Sequence, residues 1–194
     1  WLAHHNSDVW SQTAPSGNYD LNPRSSPRWS CWPMAGVWFS QHLWEHYAFG
    51  GDKQFLQETA YPLMKGAAEF ILQWLQYDKV SGYLVTNPAS TPENLFKYKD
   101  SNGKEQTGEI SKATTMDMAM IRDLFTNCIE ASNVLGTDTD FRRKLEETRD
   151  KLYPPHLGSK GQLQEWFEDF EEQDPEHRHV SHLFGLHPGK EILP

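Results

Sequence analysis

The sequence is poor in the features that mark several large protein classes. It has two cysteines, Cys31 and Cys128, in 194 residues. Two are too few for the disulfide scaffold of a small secreted domain. Cys128 falls on the apolar side of a helical pattern, so the pair is expected to be two free, buried thiols. No apolar run approaches the ~20 residues needed to cross a bilayer as a helix. Basic residues are scarce: 18 Lys and Arg stand against 27 Asp and Glu, a formal charge of −9. That balance argues against nucleic acid or anionic lipid as a partner, because both are gripped chiefly by positive charge. There is no initiator Met and no signal-peptide pattern. The chain opens at full complexity on Trp1-Leu2-Ala3-His4-His5, as expected for a fragment truncated upstream.

What the chain has in excess is aromatic. Phe, Trp and Tyr make up 13% of it, including eight Trp, and nine His accompany them. Disordered chains lack such residues. Trp fills cores or forms flat walls on which rings, sugar rings included, can stack. The length suits a single domain with a real core.

Helical periodicity dominates. Val37, Trp38, Phe39, Leu43, Trp44 and Tyr47 cover nearly every side of a helix that starts near Pro33 and ends at Gly50-Gly51. A helix apolar all round is expected to be buried. Asp52 suits the N-cap of a short helix, and Pro62 begins an amphipathic one carrying Leu63, Ala67, Phe70, Ile71, Trp74 and Leu75. A third stripe, Met120, Ile121, Leu124, Cys128, Ala131 and Leu135, runs to an end signal at Gly136. Asp138 or Thr139 is expected to cap a last helix to about Leu152, before Pro154-Pro155. Between these lie long irregular stretches, 1–33, 78–113 and 156–194. Tyr83-Leu84-Val85 suits a minor hairpin, and no strand series is evident. The expected class is all-α: helix pairs joined alternately by short turns and long loops, with 1–33, 78–113 and 156–185 gathering at one end. Long loops on a rigid scaffold are usual carriers of function.

Four motifs in those loops carry chemistry. In Thr91-Pro92-Glu93-Asn94, Pro92 stiffens the loop from which Glu93 projects, and Leu95, Phe96 and Tyr98 offer apolar walls. Such surroundings suit a general acid, although a carboxylate at the start of a helical turn has the same pattern. Residues 165–176 hold seven carboxylates and no Lys or Arg, interleaved with Trp166, Phe167 and Phe170. Rings beside carboxylates suit a sugar site, where two carboxyl groups flank the scissile bond; a solvated acidic face is the alternative. His177-Arg178-His179-Val180-Ser181-His182 offers imidazoles for a polar ligand. No zinc-type spacing completes it, so no metal is expected there; a glycosidase mechanism, if that is the chemistry, needs no organic cofactor either. His4-His5-Asn6-Ser7-Asp8-Val9-Trp10 places His5 and Trp10 around a tight turn.

Taken together, HHNSDVW, WPMAGVWFSQHLWEHYAFGGDKQFL, YPLMKGAAEFILQWL, GYLVTNPASTPENLF, GQLQEWFEDF and HRHVSHLFGLHPG closely resemble the α-L-fucosidases of glycoside hydrolase family 95. The resemblance covers essentially the whole chain. It implies part of an (α/α)6 barrel, residues 1–194 forming one partial catalytic domain. It implies an inverting hydrolase that removes terminal α-L-fucosyl or α-L-galactosyl residues from glycans, secreted or periplasmic. Glu93 matches the family's acid, and the Asp on the water side falls at Asp169, with Glu165 and Glu168 as rivals. His5, Trp10, Asn94, Trp166, His179 and His182 are the expected sugar contacts. His187 stands where Tyr is expected in GLYPG. The family's upstream pair of asparagines has no counterpart here, so the fragment alone is expected to be inactive. The rivals are a sugar-binding or inactive relative, and an (α/α)6 phosphorylase. Phosphorolysis needs a basic pocket, yet residues 156–176 carry a single Lys.

Overall fold

The computed structural model describes residues 6–7, 13–14 and 32–192. Helix α1 (Ala35–Gly50) ends where Gly51 enters the left-handed region at φ 67°, a conformation that costs glycine nothing. Asp52 then caps α2 (Lys53–Phe55), its carboxylate accepting from the Phe55 amide at 2.9 Å. A π-helical stretch, Leu56–Ala60, carries the chain without a break into α3 (Tyr61–Trp74). The two helices expected around Pro62 are therefore one rod with a bulge. α4 (Thr115–Leu135) ends at Gly136, φ 64°, and α5 (Thr139–Arg149) follows.

α5 stops three residues short of the expected Leu152, and Asp138 does not cap it with its side chain. The Asp138 carboxylate is drawn instead to Lys65 Nζ at 2.7 Å and to the Tyr61 hydroxyl at 3.0 Å. These partners hold it below the usual carboxylate range, Lys65 foremost. A long-range ion pair has overridden a local capping preference.

α4 forms the centre. Fourteen of its 21 residues are buried, among them Met120, Ile121, Phe125 and Cys128. It packs against α1, α3, α5 and the 3₁₀ turn Ser181–Gly185. Cys128 is a free, buried thiol whose titration burial pushes up; Cys31 lies outside the described residues. The all-round burial expected of α1 belongs to α4 instead. On α1 only Val37, Ser40 and Trp44 are buried, while Phe39 and Phe49 are 58% and 89% exposed. No described element covers that side of α1, whereas α4 has helices around it.

The all-α expectation is corrected by three small antiparallel sheets among the described residues. β1 (Asn6–Ser7) pairs with β2 (Thr13–Ala14). β3 (Gln76–Tyr77) pairs with β4 (Leu84–Val85), the hairpin foreseen at Tyr83-Leu84-Val85. β5 (Phe96–Lys99) lies between β6 (Glu105–Gly108) and β7 (Glu171–Glu172), with Phe96 opposite both Gly108 and Glu172. Loops that cross a core must satisfy their backbone polar groups, and short ladders do so. β7 thereby stitches the 156–176 stretch to the 78–113 stretch.

Asp117, in the first turn of α4, is fully buried, accepting from Trp32 Nε1 and the Thr86 hydroxyl at 3.2 Å each. Burial raises its pKa to about 7, against the opposing pull of those donors. The folded protein thus holds a proton on Asp117 that the unfolded chain, with a carboxyl near 3.8, releases across that interval. Stability from this residue falls as pH rises through the window. Asp117→Asn, which mimics the protonated form, is expected to flatten that pH dependence and to be at least as stable as the parent at pH 8. Thermal unfolding of the full-length protein from pH 5 to 8 checks this; an equal loss of stability at both ends contradicts it.

Candidate active site

Two long loops meet beside the N-terminal end of α4. The 78–113 loop is tied down at its base: Ala113 N donates to Thr86 O, and Ala89 and Ser111 exchange backbone bonds at 2.8 Å. The 156–176 loop is anchored to the first residue of α4. Thr115 N donates to Glu165 O at 3.1 Å, and its hydroxyl donates to Gln164 O at 2.5 Å. Lys112 braces both loops, reaching Asp78 at 2.7 Å and lying 4.1 Å above the Phe167 ring.

Glu93 stands at the junction, 28% exposed at its side chain. Its carboxylate pairs with the Arg178 guanidinium, and His179 Nε2 lies 3.3 Å from the same oxygen. The acid of the PEN motif and the His-rich segment, 85 residues apart, are thereby brought to one place. That is the convergence expected of two of the three long loops. His5 and Trp10 of the third lie outside the described residues.

Beneath Glu93 is a second carboxylate. Glu165 is 5% exposed. Its Oε1 accepts from the Thr91 hydroxyl at 2.6 Å and lies 3.0 Å from the Ser181 hydroxyl, which also touches Thr91. Its Oε2 accepts from Asn94 Nδ2 at 3.1 Å, with His182 Nδ1 3.8 Å away. Nothing local in the acidic run marks Glu165 as the acid that points inward, since its partners lie in other segments.

Three expected site residues have other surroundings. Asn94 is 2% exposed: its amide donates to Glu165 and, at 3.4 Å, to Glu172, while its Oδ1 accepts from Leu95 N. All its polar atoms are used inside the protein, which makes it a strut rather than a sugar contact. Trp166 is likewise 2% exposed and packs edge-on to Phe96, with ring centroids 5.5 Å apart. A ring so enclosed has no face for a sugar. Phe96 stacks on Phe170 at 4.2 Å, and the close approach of Gly108 leaves no room for a Cβ over its ring. Asp169 is exposed and accepts from Ser159 N at 2.7 Å and Gln162 Nε2 at 3.0 Å. Ser159 foremost holds it below the usual carboxylate range. Both of these partners lie in the 158–162 turn. His179 and His182 remain at the junction, and His187 is exposed. Among the described residues no three His, Cys, Asp or Glu side chains gather in metal-binding reach.

Carboxylates set among aromatic walls, where loops meet at a helix end, are the equipment of a carbohydrate-active protein. The whole chain, residues 1–194, matches the Glycosyl hydrolase family 95 catalytic domain, and it belongs to that family. It is 40% identical over 193 residues to Alpha-L-fucosidase 2 of Arabidopsis thaliana, covering 99% of this chain and 22% of that protein. It is 31% identical over 193 residues to Probable alpha-fucosidase A of Aspergillus niger, covering 97% and 22%. A relative with that same name from Aspergillus oryzae is 25% identical over 188 residues, covering 87% and 24%. The chain thus spans under a quarter of the length of these relatives.

If Asn94 is a strut, Asn94→Ala strands acceptors on Glu165 and Glu172 and costs about 1–3 kcal/mol of stability, the usual penalty for unsatisfied buried polar groups. A lowered melting temperature of the full-length protein is the expected result. A raised KM for sugar at unchanged stability would return Asn94 to the ligand.

Proposed function

We propose that the protein containing this chain is a glycoside hydrolase that removes terminal α-L-fucosyl, or the closely similar α-L-galactosyl, residues from glycans. In this reading the helices are part of an (α/α)6 barrel, and Glu93 is the general acid. The observation that carries it is the place of Glu93: partly open to solvent, at the junction of the PEN and His-rich loops, on a segment held from below by buried hydrogen bonds. The names of the relatives from Arabidopsis and Aspergillus supply the sugar.

In an inverting hydrolysis Glu93 gives its proton to the leaving glycosidic oxygen while water attacks the opposite face of the sugar through an oxocarbenium-like transition state. An ion pair with a guanidinium engages the carboxylate, not the carboxylic acid. The mechanism therefore requires Arg178 to leave Glu93 before proton transfer, and its side chain is 70% exposed and free to swing outward. His179 then remains beside the acid, and with His182 it faces the sugar. Asp169, exposed and bonded to the 158–162 turn, anchors the water side in this reading, acting through residues outside this chain.

The test is leaving-group dependence in the full-length protein. Glu93→Gln should slow a natural fucosylated oligosaccharide about 10²–10⁴-fold, the range of general acid assistance, and an aryl fucoside with a good leaving group much less. A folded Glu93→Gln protein that cleaves the oligosaccharide normally would remove the acid assignment. Asp169→Asn should slow both substrates alike, by about 10²–10⁴-fold, because water activation is needed whatever the aglycone. Near-parent rates on both would remove Asp169 from the water side.

A further inference from the structure

We propose that Glu165 is the positioning residue of this site: it aims Glu93 by clamping the backbone on both sides of it to the His-rich segment. The inference rests on the reading of Glu93 as the acid and extends it to a residue that touches no substrate.

Glu165 accepts from Thr91, two residues before Glu93, and from Asn94, one residue after it. No other described carboxylate holds both flanks. The same carboxylate meets Ser181, two residues after His179, so one buried anion ties the acid's loop and the histidines' loop together. These bonds join residues 16 to 74 positions apart in the chain, so local sequence does not enforce them. The clamp itself is fixed, because the Glu165 backbone carbonyl accepts from Thr115 at the first turn of α4, the most buried helix. The path from core to acid is therefore short: α4, Glu165, then Thr91 and Asn94, then Glu93. Proton transfer demands hydrogen-bond reach, and a displacement of about 1 Å can cost on the order of 10²-fold in rate. Burial makes the carboxylate a stiff clamp, since its lone pairs have no water to turn to and releasing Thr91, Asn94 or Ser181 would leave them unsatisfied.

The chemistry of the donors predicts which substitution is tolerated. In Glu165→Gln the amide oxygen can still accept from Asn94. The new NH2 can donate to the hydroxyls of Thr91 and Ser181, which reverse their direction at little cost. Glu165→Ala leaves the Thr91 and Ser181 hydroxyls only each other, and Asn94 only its longer contact to Glu172, so nothing then ties the two flanks of Glu93 together.

Both variants are assayed in the full-length protein on a fucosylated oligosaccharide and on an aryl fucoside with a good leaving group, with Glu93→Gln in parallel. Glu165→Ala is expected to lose about 10²-fold in kcat on the oligosaccharide, less than about tenfold on the aryl fucoside, with KM within about threefold. Glu165→Gln is expected to recover to within about fivefold of the parent. Thr91→Val, which removes one bond of the clamp, serves if Glu165→Ala does not fold, and should show the same selective loss at smaller size. Equal losses on the two substrates, or normal oligosaccharide rates in Glu165→Ala or Thr91→Val, would overturn the proposal. So would a Gln variant no better than Ala. If Glu93→Gln shows the leaving-group dependence and the Glu165 variants do not, the positioning role alone falls. If Glu93→Gln shows none, the acid reading falls with it.

Discussion

The attachment of the 164–165 backbone to the first residue of α4 is the constraint on which the functional end of this chain depends. α4 is buried on nearly every side and cannot shift without disturbing α1, α3 and α5. Thr115 fastens Gln164 and Glu165 to its start. From that point the Glu165 side chain reaches the PEN loop and the His-rich loop, while the Glu165 neighbour, Trp166, packs on Phe96. Two irregular segments thereby acquire a fixed relation to each other and to the core. Loops carry function well when a rigid scaffold holds them, and a buried helix end is such a scaffold.

Charge is divided unevenly across this end. Arg178 and Lys97 meet two of its acids, Arg178 at Glu93 and Lys97 at Glu171. Both pairs lie partly in solvent, where ion pairs are worth little and break readily. The buried acid, Glu165, is served by neutral hydroxyls and an amide, which hold without the desolvation cost of a buried cation. The arrangement separates a firm interior layer from a labile outer one. An outer pair that opens suits the role proposed for Glu93, in which the carboxyl exchanges an arginine for a substrate oxygen.

Much of the fold was legible because its signals are local. The end of α1 at Gly50-Gly51, the cap at Asp52, the stripe of α4 and its end at Gly136 all follow from neighbours within a turn or two. The failures share a cause. Asp138 looks like a cap until Lys65, 73 residues away, claims its carboxylate. The strand Phe96–Lys99 alternates aromatic and Lys over only four residues and Glu105–Gly108 has no apolar residue, so the Asn102-Gly103 turn between them was the clearer signal. In the candidate site, Glu93 was singled out by its stiffened, apolar-flanked loop and the family resemblance. Which acid of the 165–176 run turns inward was not legible, because facing is set by Thr91, Asn94 and Ser181 from other segments. Trp166 and Asn94 were read as sugar contacts on residue type, which does not distinguish a buried wall or strut from an open one.

The most direct measurement is a crystal structure of the full-length protein with an unhydrolysed α-L-fucoside bound. The glycosidic oxygen is expected within hydrogen-bond reach of the Glu93 carboxyl, about 2.6–3.2 Å. Arg178 should be swung clear, and Glu165 still bonded to Thr91 and Asn94. A sugar bound with its glycosidic oxygen against another carboxyl, and Arg178 still paired with Glu93, would contradict the assignment of Glu93 as the acid.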